Sequence, residues 1–152
     1  MAFLDERYLL ESDFAANLFT EVKDLPILDV HNHGDITEIV DNTGWSDIWT
    51  VEGATDHYVW EVMRKRGIPE THITGDASNR EKWDALARIM PDLIGNPVYE
   101  WVHLDLKRRF GIDTIVSAET SQEIWDATAK QLRQESMRPQ QILEEMQVEI
   151  MC

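Results

Sequence analysis

LDVHNHGD (Leu28–Asp35) sets two of the chain's five histidines one residue apart, directly behind the apolar run Leu25–Val30. The run PILDV (Pro26–Val30) is too short for a helix and lies between Pro26 and Gly34, so it reads as a buried β-strand. On a strand, residues i and i+2 point to the same face about 6.6 Å apart. His31 and His33 therefore project one way and Asn32 the other. Two imidazoles placed like this can converge on one divalent metal, each supplying a nitrogen at about 2.0–2.1 Å if the metal is zinc. Asp29 is a carboxylate that either orients such a ligand or shares its face. Loop or packing histidines are the plain alternative. A catalytic zinc usually takes three protein ligands, so the pair is half a site. His57, His72, His103 and Asp35 are the in-chain candidates for a third, and no spacing recommends any of them.

Outward from this strand the chain reads as mostly helical. Ser12 suits an N-cap for a helix to about Val22, with Phe14, Leu18 and Val22 on one face, and Pro26 prevents its continuation. Residues Thr37–Thr50 show no clear period and suit short helical turns and loop. A helix fits Asp56–Arg66 before Gly67. The box Ser78-Asn-Arg-Glu81 opens another, with Trp83, Leu86 and Met90 on one face until Pro91. Asn96-Pro97 starts a helix striped by Tyr99, Val102, Leu106 and Phe110 and ended by Gly111. Thr120-Ser-Gln-Glu123 reads as a second capping box, for a helix to about Gln134, and Pro139 starts a short one to about Met146. The tail VEIMC (Val148–Cys152) resembles a second strand that has only begun. The interval between the two strands far exceeds the dozen or so residues a crossover needs. A strand with nothing after it leads one to expect a truncated chain.

The bulk properties narrow the function classes. At 152 residues, 43% hydrophobic and 28% charged, the chain can bury a core as one globular domain. Twenty-nine acidic against fourteen basic residues leave a net charge of −15, which argues against nucleic acid or an anionic membrane as partner. Its single cysteine, Cys152, forms no internal disulfide, and no apolar run approaches the roughly 20 residues of a membrane helix. Asp5 and Glu6 precede any apolar run, unlike a secretory signal, so a cytoplasmic protein is expected.

A second constellation, TDHYVWEVMRKRG (Thr55–Gly67), places Asp56, His57 and Tyr58 at a helix start, where free N–H groups and the dipole favour anions. His57 and Tyr58 can donate hydrogen bonds to a carboxylate-bearing substrate or move protons. The plainer reading makes Asp56 a cap and Tyr58 a packing residue. Trp83, Trp101 and Trp125 lie on helical faces and read as core.

Taken together, LPILDVHNH, DHYVWEVMRKRGI, ITGDAS, EKWDALARIMPDLIGNPVYEWVHLDLKRRFGI and VEIMC resemble the uronate isomerases (glucuronate isomerase) of the amidohydrolase superfamily over almost the whole chain. The resemblance implies a metal-dependent aldose–ketose isomerase converting D-glucuronate to D-fructuronate and D-galacturonate to D-tagaturonate. It implies an α/β fold, the N-terminal part of a distorted (β/α)8 TIM barrel, whose functional groups sit at the C-terminal ends of strands. On that reading strand one spans about 26–31, a helical insertion about 36–146 and the start of strand two about 148–152. His31 and His33 become metal ligands, with zinc the expected ion and the family's third ligand, a late aspartate, outside this chain. His57 and Tyr58 face the uronate sugar. The family commonly has basic residues where this chain has Val59 and Glu61. A barrel needs roughly 200 or more residues, so the fragment alone is expected to be inactive, with any homo-oligomer a property of the full-length protein. Competing readings are a metal-dependent hydrolase of the same superfamily, which shares the HxH motif, and a non-catalytic helical fragment.

Overall fold

In chain order, the elements of the computed structural model, which describes residues 3–152, are α1 (Asp13–Val22), β1 (Ile27–Asp29), α2 (Ile36–Asp41), α3 (Ile48–Glu52), α4 (His57–Lys65), α5 (Asn79–Ile89), α6 (Pro97–Phe110), α7 (Ser121–Leu132), α8 (Pro139–Glu145) and β2 (Val148–Met151). Single 3-10 turns occupy Glu70–His72, Met90–Leu93 and Glu135–Met137. The helix starts follow their local chemistry. The Ser12 hydroxyl accepts from Ala15 N–H, Asn96 accepts from Val98 N–H, and Ser78 with Glu81 closes a complete capping box. Gly67 and Gly111 follow α4 and α6 at φ +78° and +64°, where a side chain would be strained.

The expected second capping box does not form. Thr120 has φ −101° and ψ −7°, already helical, so its hydroxyl cannot reach forward to cap α7. The Thr120 hydroxyl instead donates to Ile115 O at 2.7 Å and accepts from Ser117 N–H at 2.9 Å. It ties off the preceding turn.

The chain divides into two compact units. The first joins Met1–Gly44 to Gln134–Cys152 and holds the sheet. β1 and β2 pair in parallel, Leu28 opposite Ile150 and Asp29 opposite Met151, with an irregularity between Ile27 and Leu28. Ile27 N–H donates to Gln147 O and Cys152 N–H to Asp29 O, bracketing the pair. α2 is tied to α8 through Asn42, which donates to the Gln141 side chain and accepts from Gln140 N–H.

The strand expected to be buried is exposed: Leu28 is 59% and Val30 82% accessible. A two-stranded parallel sheet has no covering layer of its own, although parallel sheets normally carry one on both faces. The α1 stripe forms as expected, yet Phe14, Leu18 and Val22 also face outward.

The second unit, Trp45–Arg133, contains a true core. Trp49 from α3, Met63 from α4, Trp83 and Leu86 from α5, Leu106 from α6 and Ile124 from α7 are all at most 1% exposed. The indole N–H of Trp83 donates to Ser121 O at 3.1 Å, which satisfies its one polar atom and joins α5 to α7. Arg80 forks onto Asp84, Ser121 donates its hydroxyl to the same carboxylate, and the Arg80 guanidinium lies 5.3 Å over the Trp125 ring. Trp101 departs from its expected core placement, being 46% exposed.

Candidate functional site

β1 ends at Asp29, and the two histidines sit just beyond it. Their orientation is built from backbone hydrogen bonds. The Asp29 carboxylate accepts from His31 N–H at 3.2 Å, and the Asn32 side chain donates to Cys152 O at 3.1 Å while accepting from Gly34 N–H at 3.0 Å. Asn32 thereby anchors the strand exit to the end of β2. A Cβ at Gly34 would lie 3.2 Å from both Asn32 Oδ1 and Met151 Cε, so a side chain there would push on both.

Both imidazoles are exposed, with ring centroids 5.2 Å apart and planes at 82°. Two imidazoles bound to one tetrahedral zinc ion hold their centroids about 5 Å apart, so the observed spacing fits two ligands of one ion. Among the described residues no cluster of three or more His, Cys, Asp or Glu side chains completes a metal site. Asp29 is occupied in shaping the backbone turn.

Of the in-chain candidates for a third ligand, His103 has a structural job. It is 4% exposed, and its Nδ1 lies 2.6 Å from Tyr99 O while its Nε2 accepts from Val116 N–H at 2.9 Å. Because Nε2 must accept, Nδ1 carries the proton. Desolvation pushes the His103 pKa down, although the hydrogen bond to Tyr99 O opposes that shift. His72 lies beside the Thr71 hydroxyl, and the Asp35 carboxylate caps α2 by accepting from Thr37 N–H at 2.7 Å.

In the second unit, Asp56 caps α4 by accepting from Tyr58 N–H at 2.7 Å and Val59 N–H at 3.3 Å, which places His57 and Tyr58 in the first turn. Trp60 fixes the incoming loop by donating its indole N–H to Gly53 O at 2.6 Å. The His57 and Tyr58 rings are 4.2 Å apart, and Tyr58, 45% exposed, meets Trp101 edge-to-face at 5.8 Å. Val59 turns into the core, and Glu61 pairs with Lys65 at 2.7 Å.

Sequence reasoning missed Glu52, which is 7% exposed and has one carboxylate oxygen without a hydrogen-bond partner among the described residues. Burial pushes its pKa well up, and the nearby Asp105 and Asp56 carboxylates push it further. An available signal was the place of Glu52 in the apolar stretch Ile48-Trp-Thr-Val-Glu52, four residues after Ile48 and so on the same helical face.

A family profile described as glucuronate isomerase matches residues 1–152. The uronate isomerase of Thermotoga neapolitana is 58% identical over 150 residues, covering 99% of this chain and 33% of that protein. The uronate isomerase of Lactococcus lactis subsp. cremoris is 40% identical over 153 residues, again covering about a third of its length. The crystal structure of uronate isomerase from Thermotoga maritima superposes with a TM-score of 0.94 at 57% identity, covering 100% of this chain and 33% of that one. Glucuronate isomerase from Caulobacter crescentus, at 24% identity and a TM-score of 0.81 over 88% of this chain, shares the fold. The chain thus spans about a third of the length of the curated relatives it matches.

Proposed function

The chain belongs to the glucuronate isomerase family, and on that premise we propose that it carries the first-strand half of the metal site and the first substrate-facing residues of a uronate isomerase. The reaction is the aldose–ketose isomerisation of D-glucuronate to D-fructuronate and of D-galacturonate to D-tagaturonate. The fold it serves is a distorted (β/α)8 barrel in which the long helical interval follows strand one.

The observation that carries this reading is the His31–His33 pair, held at the exit of a parallel strand with its rings 5.2 Å apart. These imidazoles would hold a divalent ion, zinc by the nitrogen donor set, with the remaining ligand supplied from beyond this chain. When bound, such an ion supplies positive charge to the substrate oxygen that becomes anionic as a proton moves between C2 and C1. His57 and Tyr58 do the rest from the first turn of α4, where the helix dipole favours the uronate carboxylate and the Tyr58 hydroxyl can donate to it. The His57 imidazole can accept and return a proton. The setting is a soluble metabolic enzyme in the cytoplasm, and among the described residues no helix is long and apolar enough to cross a membrane.

The test is a chimera joining this chain to the two thirds of the Thermotoga maritima enzyme that it does not match. It should bind zinc and convert D-glucuronate to D-fructuronate. Single His31→Ala and His33→Ala changes should each remove bound metal and at least a thousandfold of turnover. Full turnover with metal retained in either variant would refute the assignment.

A further inference from the structure

Within the second unit, one face of α5 forms the wall of a cleft of about 510 Å3, inside the range of roughly 300–1,000 Å3 that small-molecule sites occupy. Arg80, Asp84 and Arg88 follow at intervals of four residues, so the helical period stacks them on that face, with Glu81 and Ala85 beside them. His72, from the turn Glu70–His72, and Ala118, from the turn before α7, line the cleft as well. Ala85 and Ala118 leave it open, because neither side chain extends beyond Cβ. Both turns are tied down. Ile73 N–H and Gly75 N–H donate to Glu70 O at 3.0 and 2.9 Å, and the Thr120 hydroxyl holds Ile115 O and Ser117 N–H. A solvated helix face is convex, whereas this one is walled by two turns from elsewhere in the chain.

The hydrogen-bonding groups left open in the cleft form a selective set. Asp84 is fully engaged: its oxygens accept from Arg80 at 3.0 and 2.7 Å, and one accepts from the Ser121 hydroxyl too. Its charge therefore offsets that of Arg80. Glu81 uses Oε2 for the Ser78 N–H and hydroxyl, at 2.9 and 2.6 Å, while its Oε1 accepts nothing among the described residues. Those two hydrogen bonds, with the nearby His72 imidazole, hold the Glu81 carboxyl below the usual carboxylate range, so Oε1 is an acceptor. His72 meets the Thr71 hydroxyl through Nδ1, which leaves Nε2 open. Arg80 Nη1 is buried with no hydrogen-bond partner among the described residues, although Asp84 and the Trp125 ring hold its guanidinium in place. Arg88 makes no ion pair among the described residues. One whole guanidinium thus stands beside a carboxylate oxygen and an imidazole nitrogen that it does not bond.

We propose that this cleft binds a small polyhydroxylated carboxylic acid, with its carboxylate on Arg88 and its hydroxyls on Glu81 Oε1 and His72 Nε2. A guanidinium suits the acid end because its planar fork takes both carboxylate oxygens at once. Other small ligands match the open groups less well. Inorganic phosphate would bring a second negative charge beside Glu81 and Asp84, in a chain of net charge −15. A neutral polyol leaves Arg88 unpaired, and an acid without hydroxyls leaves Glu81 Oε1 and His72 Nε2 unpaired beneath it. None of these residues belongs to the His31–His33 or His57–Tyr58 pairs, so the site is additional to the proposed function and stands or falls without it.

The experiment titrates the 152-residue chain with D-gluconate, by calorimetry and by indole fluorescence, since Trp125 lies under the Arg80 guanidinium. Gluconate should bind saturably, and roughly tenfold or more tightly than sorbitol, propionate or inorganic phosphate. Arg88→Gln should weaken it about tenfold or more. Glu81→Gln keeps an oxygen for the Ser78 capping box and loses the second acceptor, so it should weaken gluconate binding while leaving α5 folded. Ala118→Leu, at an exposed turn position, should fill the cleft and abolish binding without moving the urea midpoint. No saturable binding of gluconate by a chain that melts cooperatively, phosphate or propionate binding as tightly as gluconate, or undiminished affinity in Arg88→Gln or Ala118→Leu would each overturn the proposal.

Discussion

Replacing His103 tests how the second unit holds its irregular segment after α6. The imidazole bridges Tyr99 O on α6 and the N–H of Val116, a residue with no exposure. His103→Ala leaves the Val116 N–H buried and unpaired, which costs about 1–3 kcal/mol, and removes a packed ring beside Tyr99, adding roughly another 1 kcal/mol or more. The unit runs from Trp45 to Arg133, and at about 0.05–0.15 kcal/mol per residue its whole stability is on the order of 4–13 kcal/mol. The variant should therefore lose a sizeable fraction of it. All six tryptophans lie in this unit, so urea unfolding followed by indole fluorescence reports on it alone.

The pH dependence sharpens the test. Desolvation depresses the folded pKa of His103 below its ordinary value near 6.5, against the opposing bond to Tyr99 O; protonating Nε2 would in addition break the bond from Val116 N–H. Above pH 6.5 both states are neutral and the bridge contributes fully. As pH falls below 6.5 the unfolded chain takes up the proton first, and the contribution drops by up to about 1.4 kcal/mol per pH unit until the folded form protonates. The deficit of His103→Ala against the parent chain should be largest at pH 8 and smaller at pH 5.5. His103→Gln, whose carbonyl can accept from Val116 N–H, should lose less than the alanine variant. An alanine deficit under 0.5 kcal/mol, or one identical at the two pH values, would refute the bridge as described.

Glu52 makes the opposite prediction. Its folded pKa is raised by burial and by Asp105 and Asp56, so the parent chain should lose stability as pH rises from about 4.5 through that raised value. Glu52→Gln should unfold at higher urea than the parent at pH 8 and show no such advantage at pH 4; equal pH slopes would count against a buried, protonated carboxyl. Leu86→Ala, at a position with no exposure, should cost roughly 2–5 kcal/mol in the fluorescence melt, whereas Ile94→Ala, 74% exposed in the same unit, should stay within about 0.5 kcal/mol. Comparable losses would mean that Leu86 does not carry the packing of that core.

Helix starts were legible where they depend on a few adjacent residues. Ser78 and Thr120 show the limit of that reading, since both begin the pattern Ser/Thr-x-x-Glu. Ser78 enters from extended backbone, at φ −62° and ψ 154°, and closes its box. Thr120 enters from a turn made by Ser117, and the direction of the incoming chain is not written in the four-residue pattern. His103 was similarly misplaced among metal candidates. Its position four residues after Tyr99, on the stripe that the period of α6 buries, was the available sign that it faces inward. The contact of Tyr58 with Trp101 joins residues far apart in sequence, and no local pattern encodes it.

The strand PILDV raises a different matter. Its composition specifies burial on both faces, and that demand is a property of the sheet to which the strand contributes, not of the two-stranded pair it forms here. The same holds for α1, whose stripe is right in period and yet has no covering layer. Where pattern and burial agree, as along Trp83, Leu86 and Met90, the partner surface lies within the same unit. Where they disagree, at Phe14, Leu18, Leu28, Val30 and Ile150, the residues cluster in the unit that also presents His31 and His33. On the proposed function, which makes His31 and His33 two of three metal ligands, the unfinished ligand set and the uncovered two-stranded sheet belong to the same unit. What would cover the apolar faces is also what would bring the missing ligand, so a cover that slowed exchange at Leu28 without raising zinc affinity would break that connection.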